Sequence, residues 1–241
     1  MIETDRNGGT AGDEDWLDRR DAAIEEIYDV FGRFRLAAHV EGCPHCVSDH
    51  DHARIHAAPL RSLTAHDLHR YAWKAMTTWG DINDFKHFLP RLLELAVGNG
   101  SDWVDVELLL GKLGRAGFVH WPAAERRPVE TFLWSTWNVG LAQDASAFDV
   151  DAWLCGVAGT GVDATPYIEA FRNNDAPTAI GHIAAFLDHN PELLTRGKLS
   201  NAWWNESVAD ASARELRNWL AACMADEQFQ ARLATAYEQL G

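Results

Sequence analysis

Two cysteines and four histidines fall between Cys43 and His56: Cys43, His45, Cys46, His50, His52 and His56. A Cys-x-x-Cys turn lets two thiolates converge on one tetrahedral ion, and sulfur mixed with imidazole suits Zn²⁺. His50 lies four residues after Cys46 and His52 six after, so either supplies a further ligand from the next turn or helix. The expected metal set is therefore Cys43, Cys46, His50 and His52, with His56, His39 or the distant His87 as alternative donors. Asp49 and Asp51 stand ready to polarise neighbouring imidazoles. The second ligand pair is ambiguous and the spacer is short, which leaves two other readings open. One is a pair of reduced thiols at a helix start with solvated histidines. The other is a redox-active dithiol with Cys43 at a helix N-terminus.

A second concentration of chemistry runs from Trp79 to Glu94. Lys86, His87 and Arg91 beside the aromatic Trp79 are candidates to line a pocket. His87 is a residue able to act as ligand, acid or base where a carboxylate is near. The plainer alternative puts Phe85, Phe88, Leu89 and Leu92 in the core, Lys86 in solvent and Arg91 on a neighbouring acid. No Gly-x-Ser-x-Gly, His-Glu-x-x-His, phosphate-loop or paired-carboxylate signature accompanies these residues.

The elements that must position them are helical. Trp16, Ala23, Ile24, Ile27, Tyr28 and Phe31 recur at helical spacing over residues 15–31. Residues 32–63 read as irregular and hold the Cys/His cluster. Thr64 with Asp67 predicts a capping box for a helix carrying Leu68, Tyr71, Ala72, Ala75, Met76 and Trp79 and ending at Gly80. Asp81 caps the next, with a kink or split expected at Pro90. Further helices are predicted from Trp103, Pro122, Asp149, Thr165, Pro177, Glu206 and Asp226. Gly114/Gly117 and Gly156–Gly161 read as separators, and strand evidence is confined to a weak alternation over residues 33–40. Trp134 and Trp137 share a helix face and read as core, and one of the adjacent Trp203 and Trp204 is expected to reach a surface. The fold class is therefore all-α: a single domain over residues 15–241, built as a helical-repeat-like array of antiparallel helix pairs, with an irregular Cys/His loop after the first helix. Residues 1–14 read as a flexible acidic tail.

The chain has 241 residues, 36 acidic and 21 basic side chains, and a formal charge of −15. That balance argues against a duplex-DNA binder, which needs a Lys/Arg surplus. Ten of the acids and three arginines fall within residues 1–30, so nearly half of the charge belongs to one end and its first helix. No run approaches the ~20 apolar residues of a membrane helix. The acidic start of the chain has no apolar core of a secretory signal. A cytoplasmic protein is expected, with Cys155 and Cys223 as buried thiols.

Cys43-Pro-His-Cys46 is identical to the active-site tetrapeptide of DsbA-type thiol oxidases. That motif follows a core strand of a thioredoxin fold, and no β-α-β pattern surrounds it here. The redox alternative is therefore a cytosolic sensor. Two longer stretches resemble a family of uncharacterised bacterial helical proteins: Gly42-Cys-Pro-His-Cys46-Val-Ser, and Tyr71 through Thr78-Trp-Gly-Asp81 to Asp84-Phe-Lys-His-Phe-Leu-Pro-Arg-Leu-Leu-Glu-Leu95. The resemblance implies that the cysteine pair and the 86–95 segment belong together, and it brings no activity. The leading functional expectation is a non-enzymatic protein-binding or scaffold protein with a zinc-stapled loop, its acidity favouring a basic protein partner. The alternative is an enzyme or accessory subunit with a metal- or thiol-dependent site near Cys43, Cys46 and His87.

Overall fold

Three helix starts are set by reciprocal caps. Ser48 accepts from the Asp51 N–H while Asp51 accepts from Ser48, and Thr64/Asp67 and Asp81/Asp84 repeat the arrangement. Each box satisfies two backbone donors that a helix otherwise leaves open, worth ~1 kcal/mol. In the computed structural model, which describes residues 13–98, 104–201 and 206–240, the helices in chain order are α1 (Asp13–Phe31), α2 (Asp49–Ile55), α3 (Ala65–Lys74), α4 (Ile82–Val97), α5 (Val106–Arg115) and α6 (Ala123–Ala142). They continue with α7 (Val150–Gly159), α8 (Thr165–Arg172), α9 (Ala179–His189), α10 (Leu193–Arg196), α11 (Glu206–Cys223) and α12 (Glu227–Leu240). The fold is all-α, with no strand among the described residues; two isolated bridges, Gly42 with Trp79 and Ala75 with Trp79, are the nearest approach to one.

The helices pack in pairs, and the most extensive pairings join helices far apart in sequence: α1 with α6, α5 with α7, and α9 with α12. The predicted stripe of α1 explains the first. Ala23, Ile24, Ile27, Tyr28 and Phe31 are buried, while Asp18, Asp21, Glu25, Glu26 and Asp29 face solvent. α6 supplies Val129, Phe132, Leu133 and Trp137, and one buried cluster continues from Ala23 to Ala236. Each such large side chain contributes roughly 1.5–3 kcal/mol by leaving water.

Glycine sets the distance between α5 and α7. A Cβ on Gly114 would lie 2.0 Å from the Gly159 carbonyl oxygen, so the two backbones meet there. Gly114, Gly156 and Gly159 therefore lie inside helices rather than in separators, and the chain turns later, at Thr160-Gly161.

Three other local expectations are corrected. α2 occupies part of the region read as irregular, and its Ser-x-x-Asp cap was available as a signal. The helix starting at Thr64 ends at Lys74, so Met76 and Trp79 lie in the following loop. Met76 adopts φ +58 and its N–H donates to the Trp79 carbonyl, closing a tight loop that no helix accommodates. α4 runs through Pro90 without a split. Pro90 is buried there among Phe85, Leu89 and Leu93, and that packing outweighs the lost backbone bond. The predicted start at Trp103, the Trp203–Trp204 pair and residues 1–12 of the tail lie outside the described residues. No helix among the described residues is long and apolar enough to cross a membrane.

Candidate functional site: the Cys43–Cys46 turn

Backbone hydrogen bonds build this turn. Cys46 and Val47 N–H both donate to the Cys43 carbonyl, at 2.8 and 2.9 Å. The segment before it is zipped to the loop after α3: Cys43 N–H donates to Thr78 O at 2.8 Å, and Gly80 N–H to Glu41 O at 2.7 Å. Gly42 lets the segments approach closely, because a Cβ there would sit 3.2 Å from both the Trp79 ring and Val47, a tight fit. From α3, Lys74 Nζ donates to the Cys46 carbonyl at 2.7 Å and Arg70 does so at 3.1 Å. Arg70 also pairs with the buried Asp51 of α2 at 2.8 Å. One helix thus fixes both the turn and the helix that follows it.

Both cysteines are free and partly exposed. The His45 backbone N–H is the main stabiliser of a Cys43 thiolate. The Cys46 thiol, the His45 side chain and the Cys46 N–H add to it, and together they bring the Cys43 thiol below its usual range. Such a cradle makes a sulfur both a better nucleophile at neutral pH and a readier metal ligand. Asp51 is also held below the usual carboxylate range. Burial alone would raise it, but the hydrogen bonds from Ser48 and the charges of Arg70 and Lys74 outweigh burial.

The expected imidazole ligands do not join the sulfurs. His50 is exposed on the first turn of α2. His52 instead stacks on His39, with centroids 4.7 Å apart, and meets the Trp79 ring edge-on at 5.3 Å. Trp79 is 2% exposed and packs edge-on against Tyr71 at 5.4 Å. It is a wall of the core beneath the turn. Among the described residues, no group of three or more His, Cys, Asp or Glu side chains is placed to hold a metal ion. A two-sulfur turn supplies half of a tetrahedral zinc shell, and the other half is not preformed.

The second predicted group is dispersed among three separate contacts. His87 Nδ1 donates to the Phe34 carbonyl at 2.9 Å, and burial pushes its pKa down. Arg91 donates to Leu63 O at 2.7 Å and to Glu94 at 2.6 Å; Glu94 also accepts the Tyr28 hydroxyl at 2.5 Å. Lys86 is buried rather than solvated. Its ammonium donates to Glu125 at 2.5 Å and lies 4.1 Å from the Trp121 ring centroid, and Arg33 also pairs with Glu125. Glu125 itself is 2% exposed. These contacts lock α1, α4 and α6 together and leave His87, Arg91 and Lys86 with structural partners.

Two features had no signal in the sequence. Lys112 is buried and donates to the carbonyls of Trp73 and Ala75, at 2.9 and 3.0 Å, closing the end of α3. Asp151, also buried, accepts from Asn190 at 2.9 Å, and burial raises its pKa. Cys155 is buried as expected, whereas Cys223 is only half-buried.

Comparison of the chain with protein-family models, with curated proteins and with solved structures returns no match in any of the three.

Proposed function

We propose that the chain is a thiol-dependent helical binding protein whose Cys43–Cys46 turn exchanges between dithiol and disulfide. The observation that carries this reading is the hydrogen-bonded Cys43–Cys46 turn, in which the Cys46 N–H donates to the Cys43 carbonyl at 2.8 Å and both thiols are free and partly exposed; the lowered Cys43 pKa is consistent with it. The Cys43 thiolate attacks a disulfide, such as oxidised glutathione, and releases one thiolate. Cys46 then loses its proton and attacks the Cys43 sulfur, expelling the second thiolate. The turn gains an S–S bond and gives up two electrons, and the incoming disulfide becomes two thiols. The protein partner is the element this reading shares with a scaffold role, and the exposed acids of α1 favour a basic surface for it.

A zinc-stapled turn is the second reading, favoured by the same thiolate cradle. It requires two ligands from outside the turn, for which His50 is one exposed candidate. One experiment separates the two. The full chain is purified without chelator, its zinc is quantified, and the rate of Cys43 alkylation by iodoacetamide is followed against pH. The dithiol reading expects less than stoichiometric zinc, an alkylation midpoint below that of an ordinary thiol, and a Cys43–Cys46 disulfide after equilibration with oxidised glutathione. One zinc per chain, released in step with the appearance of reactive thiols, would overturn it in favour of the staple. Slow alkylation of both cysteines with no zinc would refute both.

A further inference from the structure

A cleft of about 310 Å³ opens between α1, the end of α4, the start of α5, α6 and the start of α7. It is separate from the Cys43–Cys46 turn and shares none of its residues. A cleft of that size is at the lower end of those that hold small molecules. Its floor is one face of α6: Thr136, Val139, Gly140 and Gln143 lie at helical spacing and all line it. Thr136 is 3% exposed, and its hydroxyl has no hydrogen-bond partner among the described residues. A buried hydroxyl left open costs on the order of 1–3 kcal/mol, so this one is available to a group that enters from the cleft side of α6.

The walls supply charge and aromatic surface. Asp105, Glu107 and Asp149 line the cleft, against a single Lys or Arg among the described residues, Arg20, whose guanidinium is already 3.0 Å from Asp21. One oxygen of Asp149 caps α7, accepting the Ala152 N–H at 3.0 Å with His189 at 3.7 Å, and the other oxygen is left to the cleft. Asp105 begins α5 without spending its carboxylate on a cap. Glu107 is half-buried; its carboxylate receives its own backbone N–H and a long contact of 3.5 Å from Asn201. Burial raises its pKa, and the neighbouring charges of Asp105 and Asp149 raise it further, the behaviour of a carboxyl short of positive charge. Phe148 and Trp153 stack at 5.6 Å along the same side. Phe148 is seated directly on the α6 backbone, where a Cβ on Gly140 would meet its ring at 2.3 Å.

We propose that this cleft binds a small organic cation, an ammonium or guanidinium compound. Glu107 and Asp149 supply the counter-charge, Trp153, held in place by its stack on Phe148, the ring surface, and Thr136 the polar contact at the floor. Aromatic faces and carboxylates together are the chemistry that recognises such a cation, and the charge of −15 concentrates cations near the surface. The volume suits a free small molecule.

The test is isothermal titration calorimetry of the full reduced chain with putrescine and agmatine, with succinate as the anionic control. The expected result is saturable binding of one amine per chain and none of succinate. Glu107→Gln weakens it about tenfold and Thr136→Val severalfold, while Glu169→Gln, the same charge change at a surface site on α8, leaves it unchanged. Absence of saturable amine binding overturns the proposal. So does equal weakening by Glu107→Gln and Glu169→Gln, since that would report net charge rather than a site. Tighter binding of a capped Gly-Lys-Gly peptide than of putrescine overturns the assignment to a free small molecule. Should Glu107→Gln fail to fold, Thr136→Val alone decides, with loss of amine affinity supporting the site and an unchanged affinity refuting it.

Discussion

Replacing Lys112 by methionine isolates the energetic effect of one buried charge. Lys112 is 6% exposed, and its ammonium donates to two backbone carbonyls, with no carboxylate of the described residues within ion-pair distance. Burial, with a smaller contribution from Arg115, pushes its pKa from 10.5 down to about 8. At pH 7 the folded and unfolded chains both hold the proton, and folding confines a charge in a poorly solvated place. As pH rises, the folded protein releases the proton near 8 and the unfolded chain only near 10.5. Between those values the unfolded chain binds more protons, so stability rises with pH. The neutral amine keeps two N–H donors, enough for both carbonyls. The expected gain over pH 7 is about 1.3 kcal/mol by pH 9 and about 2.5 kcal/mol by pH 10, from 1.36 kcal/mol per unit. Cys155 and Tyr167 work in the opposite direction, because burial raises both; their stabilisation is lost as pH climbs past their unfolded values. The quantity to measure is therefore the difference in unfolding free energy between the native chain and Lys112→Met, which share those groups. Urea unfolding at pH 7, 8, 9 and 10, under a phosphine reductant, gives that difference. It should increase steadily with pH. A flat or falling difference would refute the account of Lys112 as a charged group held in the core.

Two other perturbations follow from contacts described above. Glu125→Gln leaves the Lys86 ammonium buried without its carboxylate and should cost on the order of 3 kcal/mol in urea unfolding. Adding Lys86→Met should recover at least half of that loss, and a single-variant cost below about 1 kcal/mol would contradict the role given to the pair. Glycines three residues apart on α5 should respond with opposite sign. Gly111→Ala meets nothing within 4 Å and should stabilise by about 0.5–1 kcal/mol through helix propensity. Gly114→Ala drives a methyl into the Gly159 carbonyl and should destabilise by on the order of 3 kcal/mol. Equal thermal shifts from both substitutions would dismiss the close approach of α5 and α7.

Local chemistry was legible where it acts within a few residues. Thr64 with Asp67, and Asp81 alone, identified two helix starts, and the spacing of Ile24, Ile27 and Phe31 identified the buried face of α1. What depended on distant partners was not. Nothing near Lys86 indicates that Glu125, on another helix, will draw it into the core. Nothing near Gly156 or Gly159 says that Gly114 will approach from α5. Glycine reads as a break when only neighbours are considered, and as a contact surface once a second helix is present. The Cys43–Cys46 turn could be recognised from its own residues. The fate of His52 could not, because Trp79 and His39, which hold it, come from segments that meet only in the folded chain. The acidic and aromatic cleft is the extreme case, since Arg20, Glu107, Thr136 and Asp149 come from four helical regions.

The pairing of α1 with α6 also has a consequence in time. A chain emerging from a ribosome at roughly 5–20 residues per second displays Ile24, Ile27 and Phe31 for roughly 5–20 s before Ala123, the first residue of their main partner helix, has been made. During that interval α4, itself made later, covers part of the apolar face. The same long-range docking slows folding relative to a bundle of sequential hairpins. α1 is thus made well before it is fully enclosed, and repulsion between its exposed acids opposes association of two such nascent segments.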